Sequence, residues 1–65
     1  MSTYEVPDRS HLIGRMVRLR LHTWAAPGPR RGVFLGQGEG GLSIRAEGGG
    51  RFVYRHDEVR SVRAA

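Results

Sequence analysis

Hydrophobic and polar residues alternate along residues 15–24. The order is Val17, Arg18, Leu19, Arg20, Leu21, His22. Successive side chains of a β-strand point to opposite faces, so a period of two predicts a strand, whereas a helix would need a period near 3.6. One face of this strand would be apolar and the other strongly basic, which is typical of an antiparallel strand with one buried face.

Other short apolar segments, separated by glycine-rich turns or loops, predict four more strands. They span residues 31–37, 42–45, 51–55 and 59–62. Residues 33–35 form an apolar run without alternation, which predicts either a strand covered on both faces or a bend that shifts its register. Between the last two strands, the polar residues 56–58 predict a tight turn or a single 3₁₀ turn.

The strands predict an all-β fold in one small domain. Before them, Asp8 or Ser10 can cap a short helix through residues 11–13, which Gly14 would end. We therefore expect an N-terminal arm with a short helix at 1–13, a five-stranded barrel at 14–63 and a tail at 64–65. Two prolines in the segment 25–30 predict the loop between the first two strands.

The chain has 65 residues and no cysteine, which limits how it can be stabilised. A domain of this size buries only about 60% of its unfolded surface, and the usual supports are a disulfide, a metal or self-association. Disulfides and thiolate metal sites are excluded without cysteine, so we expect a homo-oligomer. Absence of cysteine, of a long apolar run and of a signal segment predicts a cytoplasmic protein with no membrane partner.

The net charge of the chain indicates which class of molecule it binds. Eleven basic residues, all of them arginine, stand against six acidic residues and give a formal net charge of +5. Such an excess on one small domain predicts a polyanionic partner, above all nucleic acid. The candidate contacts are Arg18 and Arg20 on the basic face of the first strand, and Arg55 with His56 at the corner after the fourth.

The order of these motifs resembles the Sm-like superfamily. An alternating strand is followed by a loop, Gly-x-Phe, a turn, Leu-x-Ile and Phe-Val-Tyr-Arg-His-x-x-Val-x-x-Val. Within this pattern, Tyr54-Arg55-His56 is similar to the tyrosine-lysine-histidine signature of the Hfq family of bacterial RNA chaperones, with arginine in place of lysine. Residues 32–44 and the closing strand also resemble the SH3-like C-terminal barrel of biotin protein ligases.

The resemblance implies an Sm-like or SH3-like barrel whose subunits join strand to strand in a ring. It also implies post-transcriptional regulation through single-stranded RNA, or DNA, bound at a basic pore or rim by Arg55 and His56, with Tyr54 in the same signature. Glu39 and Gly40 stand approximately where the family has a glutamine and a base-stacking aromatic residue. The resemblance therefore favours ring assembly over uracil selectivity.

Two side chains, His56 and Trp24, have a structural interpretation as well as a functional one. His56 can cap its turn, with the carboxylate of Asp57 holding the ring. Trp24 either covers the barrel mouth as a hydrophobic lid, which we expect, or is exposed for stacking.

An alternative interpretation is that the protein is an SH3-like protein-interaction or regulatory module that binds no nucleic acid. The placement of Arg18, Arg20 and Arg55 separates the two, because a single stripe favours RNA or DNA and scattered positions favour an adaptor. No nucleophile motif, metal spacing or dinucleotide motif occurs in the sequence. We therefore expect no enzyme, no metal, no cofactor and no small-molecule substrate.

Overall fold

Five antiparallel strands form one sheet in the computed structural model, which describes residues 7–25 and 27–65. They are β1 (Met16–Leu21), β2 (Arg31–Gly38), β3 (Gly41–Arg45), β4 (Arg51–Tyr54) and β5 (Val59–Ala64). The strand order is β4-β3-β2-β1-β5, and a 3₁₀ turn at His56–Glu58 connects the two outermost strands. The predicted all-β class is confirmed, and the arrangement is that of a small barrel-like fold.

The inward face of the sheet forms the core because apolar residues occupy every second position. Side chains from all five strands and from the N-terminal arm meet there; they are Leu12, Val17, Leu19, Phe34, Leu42, Ile44, Tyr54 and Val59. Val17, Phe34 and Ile44 have no exposed surface. The alternation that buries these residues also places their polar neighbours on the outward face.

The second strand bends where the apolar run interrupts its alternation. Phe34 pairs with Ile44, but the next pair joins Gly36 to Ser43, so Leu35 is the extra residue of a bulge. The bend predicted for residues 33–35 is therefore confirmed, and so is the partial cover of both faces, because Val33, on the side opposite to Phe34, and Leu35, at the bulge, are half-buried. A bulge increases local twist and bends its strand, which helps the sheet to curl around its core.

Two strands end two or more residues away from the prediction, and the other three differ from it by one residue. β1 stops at Leu21, because the following residues form a turn in which the amide of Ala25 donates to the carbonyl of His22 (3.0 Å). β5 continues to Ala64 because that residue pairs with Val17 of β1. In both cases hydrogen bonding to a neighbouring segment, which sequence alternation does not reveal, sets the boundary.

Helical structure in the described residues consists of two 3₁₀ turns, and none of it is long and apolar enough to cross a bilayer. The first turn, Ser10–Leu12, stands where a short helix was predicted; residues 1–6 of the predicted arm lie outside the described residues. The Asp8 carboxylate accepts a hydrogen bond from the Ser10 amide (3.0 Å), which holds the pKa of Asp8 below its ordinary value. Gly14 ends the turn with φ of 84°.

Candidate nucleic-acid interface

A line of arginines crosses the outward face of the sheet. Arg18 of β1 lies directly opposite Arg31 of β2 on one side and Arg63 of β5 on the other. All three side chains are exposed. Opposite residues of an antiparallel pair have Cβ atoms about 4.5–5.5 Å apart. The pairing therefore sets three positive charges side by side on adjacent strands.

Further arginines extend this line into a surface. Arg45 of β3 lies opposite Arg51 of β4, and Arg20 lies two residues along β1 from Arg18. Strand alternation and the register place all of them on the same outward side. We call this surface the arginine face; it consists of Arg18, Arg20, Arg31, Arg45, Arg51 and Arg63.

The described acidic residues lie outside the strands of the arginine face, in the arm, the hairpin turns and the second 3₁₀ turn, at Asp8, Glu39, Glu47, Asp57 and Glu58. Glu47 lines one pocket together with Arg31. The ion pair of Asp57 is with Arg55, which is not a residue of the face. Like charges directly opposite each other destabilise a sheet, so the packing of the subunit gives no reason for the arrangement. An external polyanion would supply the missing negative charge.

Arg55, the predicted basic contact at the corner, already has an anionic partner. Its guanidinium donates from Nε to Asp57 Oδ1 (3.0 Å) and from Nη2 to Asp57 Oδ2 (2.7 Å). This hydrogen-bonded pair lowers the pKa of Asp57 and raises that of Arg55. The suggestion that Asp57 holds the ring of His56 is therefore wrong, because the bidentate geometry of the neighbouring guanidinium matches the carboxylate.

Tyr54 and His56, the other two residues of the signature, point inward. The Tyr54 side chain is 3% exposed and its hydroxyl donates to the carbonyl of Pro29 (2.6 Å); burial raises the pKa of this phenol, so it remains a donor. His56 is also buried, and its Nε2 donates to the carbonyl of Gly38 (2.5 Å). Both side chains join segments that are distant in sequence, through the Tyr54 hydroxyl and the His56 Nε2.

Trp24 is an exposed aromatic residue in the turn after β1. Its side chain is 58% exposed, and its ring stacks on the imidazole of His22 with centroids 5.6 Å apart and an interplanar angle of 13°. The expectation of a hydrophobic lid is therefore wrong, and the alternative of an exposed stacking surface describes its position. His22 is half-buried beneath this ring.

The structure thus groups the predicted contacts differently from the sequence. Arg18 and Arg20 belong to one continuous basic surface, whereas Arg55 lies at the far end of β4 from Arg51 and is paired with Asp57, so the three do not form the single stripe that would favour RNA or DNA. Sequence reasoning missed the arginines of the other strands. Alternation from the inward residue Ile44 does place Arg45 outward, but the alignment of arginines across strands depends on the register.

Comparisons with protein-family models, with curated proteins and with solved structures found no match to this chain. Within the described residues, no group of three or more histidine and acidic side chains could hold a metal ion. The candidate site is therefore defined by the arginine face itself and by the exposed aromatic pair beside the end of β1.

Proposed function

We propose that this protein binds single-stranded RNA through the arginine face. The observation that carries the proposal is the line of Arg31, Arg18 and Arg63, in which positive charges lie directly opposite one another on adjacent strands. Among the described residues, these three arginines have no carboxylate as an ion-pair partner. A guanidinium group binds phosphate oxygens through two parallel hydrogen bonds. A phosphate backbone running over the strands would neutralise the repulsion and replace the missing internal partners.

An unpaired strand suits this surface better than a duplex. The described residues contain no α-helix to enter a major groove, whereas sheet surfaces recognise unpaired strands through their phosphates and their accessible bases. Arginines that contact phosphates would also accept single-stranded DNA. The preference for RNA, a cytoplasmic location and a role in post-transcriptional regulation come from the resemblance to the Hfq family and remain predictions.

Salt dependence tests the proposal directly. We expect the affinity for an unstructured RNA oligonucleotide to fall linearly on a log–log plot against salt, with a slope of about −0.7 for each phosphate contacted. Engagement of the full arginine face would give a slope near −4, measured by fluorescence anisotropy of labelled RNA. Polyglutamate of equal charge serves as the control polyanion. No binding of RNA at low salt, or equal affinity for polyglutamate, would favour the protein-interaction module.

We also propose that subunits associate through the outermost strands, β4 and β5. Each has one sheet neighbour in the described structure, so one edge of its backbone is unpaired. Phe52 and Val53 of β4 are 39% and 62% exposed. Exposed apolar edge strands invite pairing with another chain, and a core of this size gains from association. Pairing of β4 with β5 of the next subunit is also what the Sm-like resemblance implies.

Replacing Val53 with aspartate should separate the subunits without unfolding them. Val53 is already exposed on the single subunit, so the substitution costs its fold little, whereas a charged side chain on an edge strand opposes pairing with another chain. Sedimentation should give the mass of one chain for Val53→Asp and a multiple of it for the wild type. Ser43→Asp, directly opposite on β3, is the matched control and should stay assembled. A wild-type monomer, or an assembled Val53→Asp variant, would refute the interface.

A further inference from the structure

The aromatic pair of Trp24 and His22 has no structural task that explains its exposure. Trp24 leaves more than half of its surface in solvent, and the contact that orders its ring is the stack on His22. His22 is fixed in turn, because its amide donates to the carbonyl of Glu58 in the second 3₁₀ turn (2.9 Å). The indole is therefore presented to solvent on a support that is tied to the barrel.

The pair follows the basic surface along the chain. Arg18 and Arg20 alternate outward along β1, which ends at the half-buried Leu21, and His22 is the first residue after the strand. The segment from Arg20 to Trp24 spans four residues, which reach at most about 14 Å when extended. A chain bound over Arg18 and Arg20 would thus reach the Trp24 ring within a short distance of its phosphate contacts.

We infer that the Trp24 ring, backed by His22, is a stacking site for one unpaired nucleobase of the strand that the arginine face binds. The inference rests on the proposed function and names a further binding site within it. Every nucleobase has a π-face that can stack on an aromatic ring, so the site accepts bases without reading their sequence. Bases within a duplex are stacked on one another, so this site selects unpaired over paired nucleic acid.

The fluorescence of Trp24 provides a direct test, because it is the single tryptophan of the chain. Saturation with unstructured single-stranded RNA should quench its emission, since the base stacks on the indole. Saturation with long-chain inorganic polyphosphate should leave the emission unchanged, because this polymer offers phosphates and no bases. Unchanged emission at saturation with RNA, verified by anisotropy of the labelled strand, would overturn the inference.

Substitutions separate this site from the arginine face. Trp24→Ala should reduce the affinity for single-stranded RNA about tenfold, leave the affinity for polyphosphate unchanged by calorimetry, and preserve the circular dichroism spectrum. Trp24→Phe, which keeps an aromatic face, should recover most of the affinity. Equal binding of RNA by Trp24→Ala and wild type would overturn the stacking site alone. Failure of the wild type to bind either polymer would overturn the proposed function and this inference with it.

Discussion

Replacing Gly41 with alanine should remove a large part of the stability of the fold. Gly41 begins β3 with φ of 152°, a conformation that L side chains rarely adopt. A Cβ atom there would overlap the carbonyl oxygen of Tyr54 and lie 2.9 Å from its carbonyl carbon. Because both neighbours belong to the backbone of β4, a side-chain rotation cannot relieve the clash.

The expected cost is about 3 kcal/mol or more, from backbone strain and displacement of β4 together. A chain of 65 residues has a total stability of roughly 3–10 kcal/mol. Thermal unfolding followed by circular dichroism should therefore show a melting temperature at least about 12 °C lower, or no cooperative transition. Gly40→Ala is the matched control, because a Cβ at that position meets no atom within 4 Å. Equal stability of the two variants would contradict the close approach of β3 to β4.

Neutralising the line of three arginines should weaken RNA binding on the order of 100-fold at 0.1 M salt. The variant is Arg18→Gln, Arg31→Gln and Arg63→Gln combined. Three lost phosphate contacts at about 0.7 each reduce the salt slope by roughly 2, which corresponds to two decades of affinity at that concentration. The same substitutions relieve repulsion between opposite like charges, so the melting temperature should stay equal or rise.

A variant with the same change in net charge tests whether position matters. Arg15, Arg30 and Arg55 are exposed and lie outside the strands, and their combined replacement by glutamine removes three charges from other places. Anisotropy titrations at several salt concentrations should give a much smaller loss for this control. Equal losses in both variants would mean that binding follows net charge and not the arginine line. A lower melting temperature for the strand variant would mean that these arginines stabilise the subunit.

The presence of the strands, and the residues whose side chains point into the core, could be predicted from the sequence because both depend on local alternation. The residues between Val17 and Leu21, and the pair Leu42 and Ile44, have the burial that a period of two requires. The interruption between the last two strands at residues 56–58 could also be predicted, since three polar residues between two apolar segments favour a turn. These features are properties of a few consecutive residues, and no distant contact is needed to produce them.

Strand register was decided only by the tertiary structure, and with it the shape of the candidate site. Arg31, Arg18 and Arg63 are far apart in sequence, and a slip of one residue in either strand pairing would move an arginine out of the line. A hydrogen bond across the barrel likewise turned His56 toward Gly38, whereas Arg55 is paired with Asp57, only two residues away in the chain. The sequence by itself determined the strands and the excess of positive charge, because these are local or additive quantities. Which charges meet, and which side chains stay free for a ligand, depends on the packing of the whole chain.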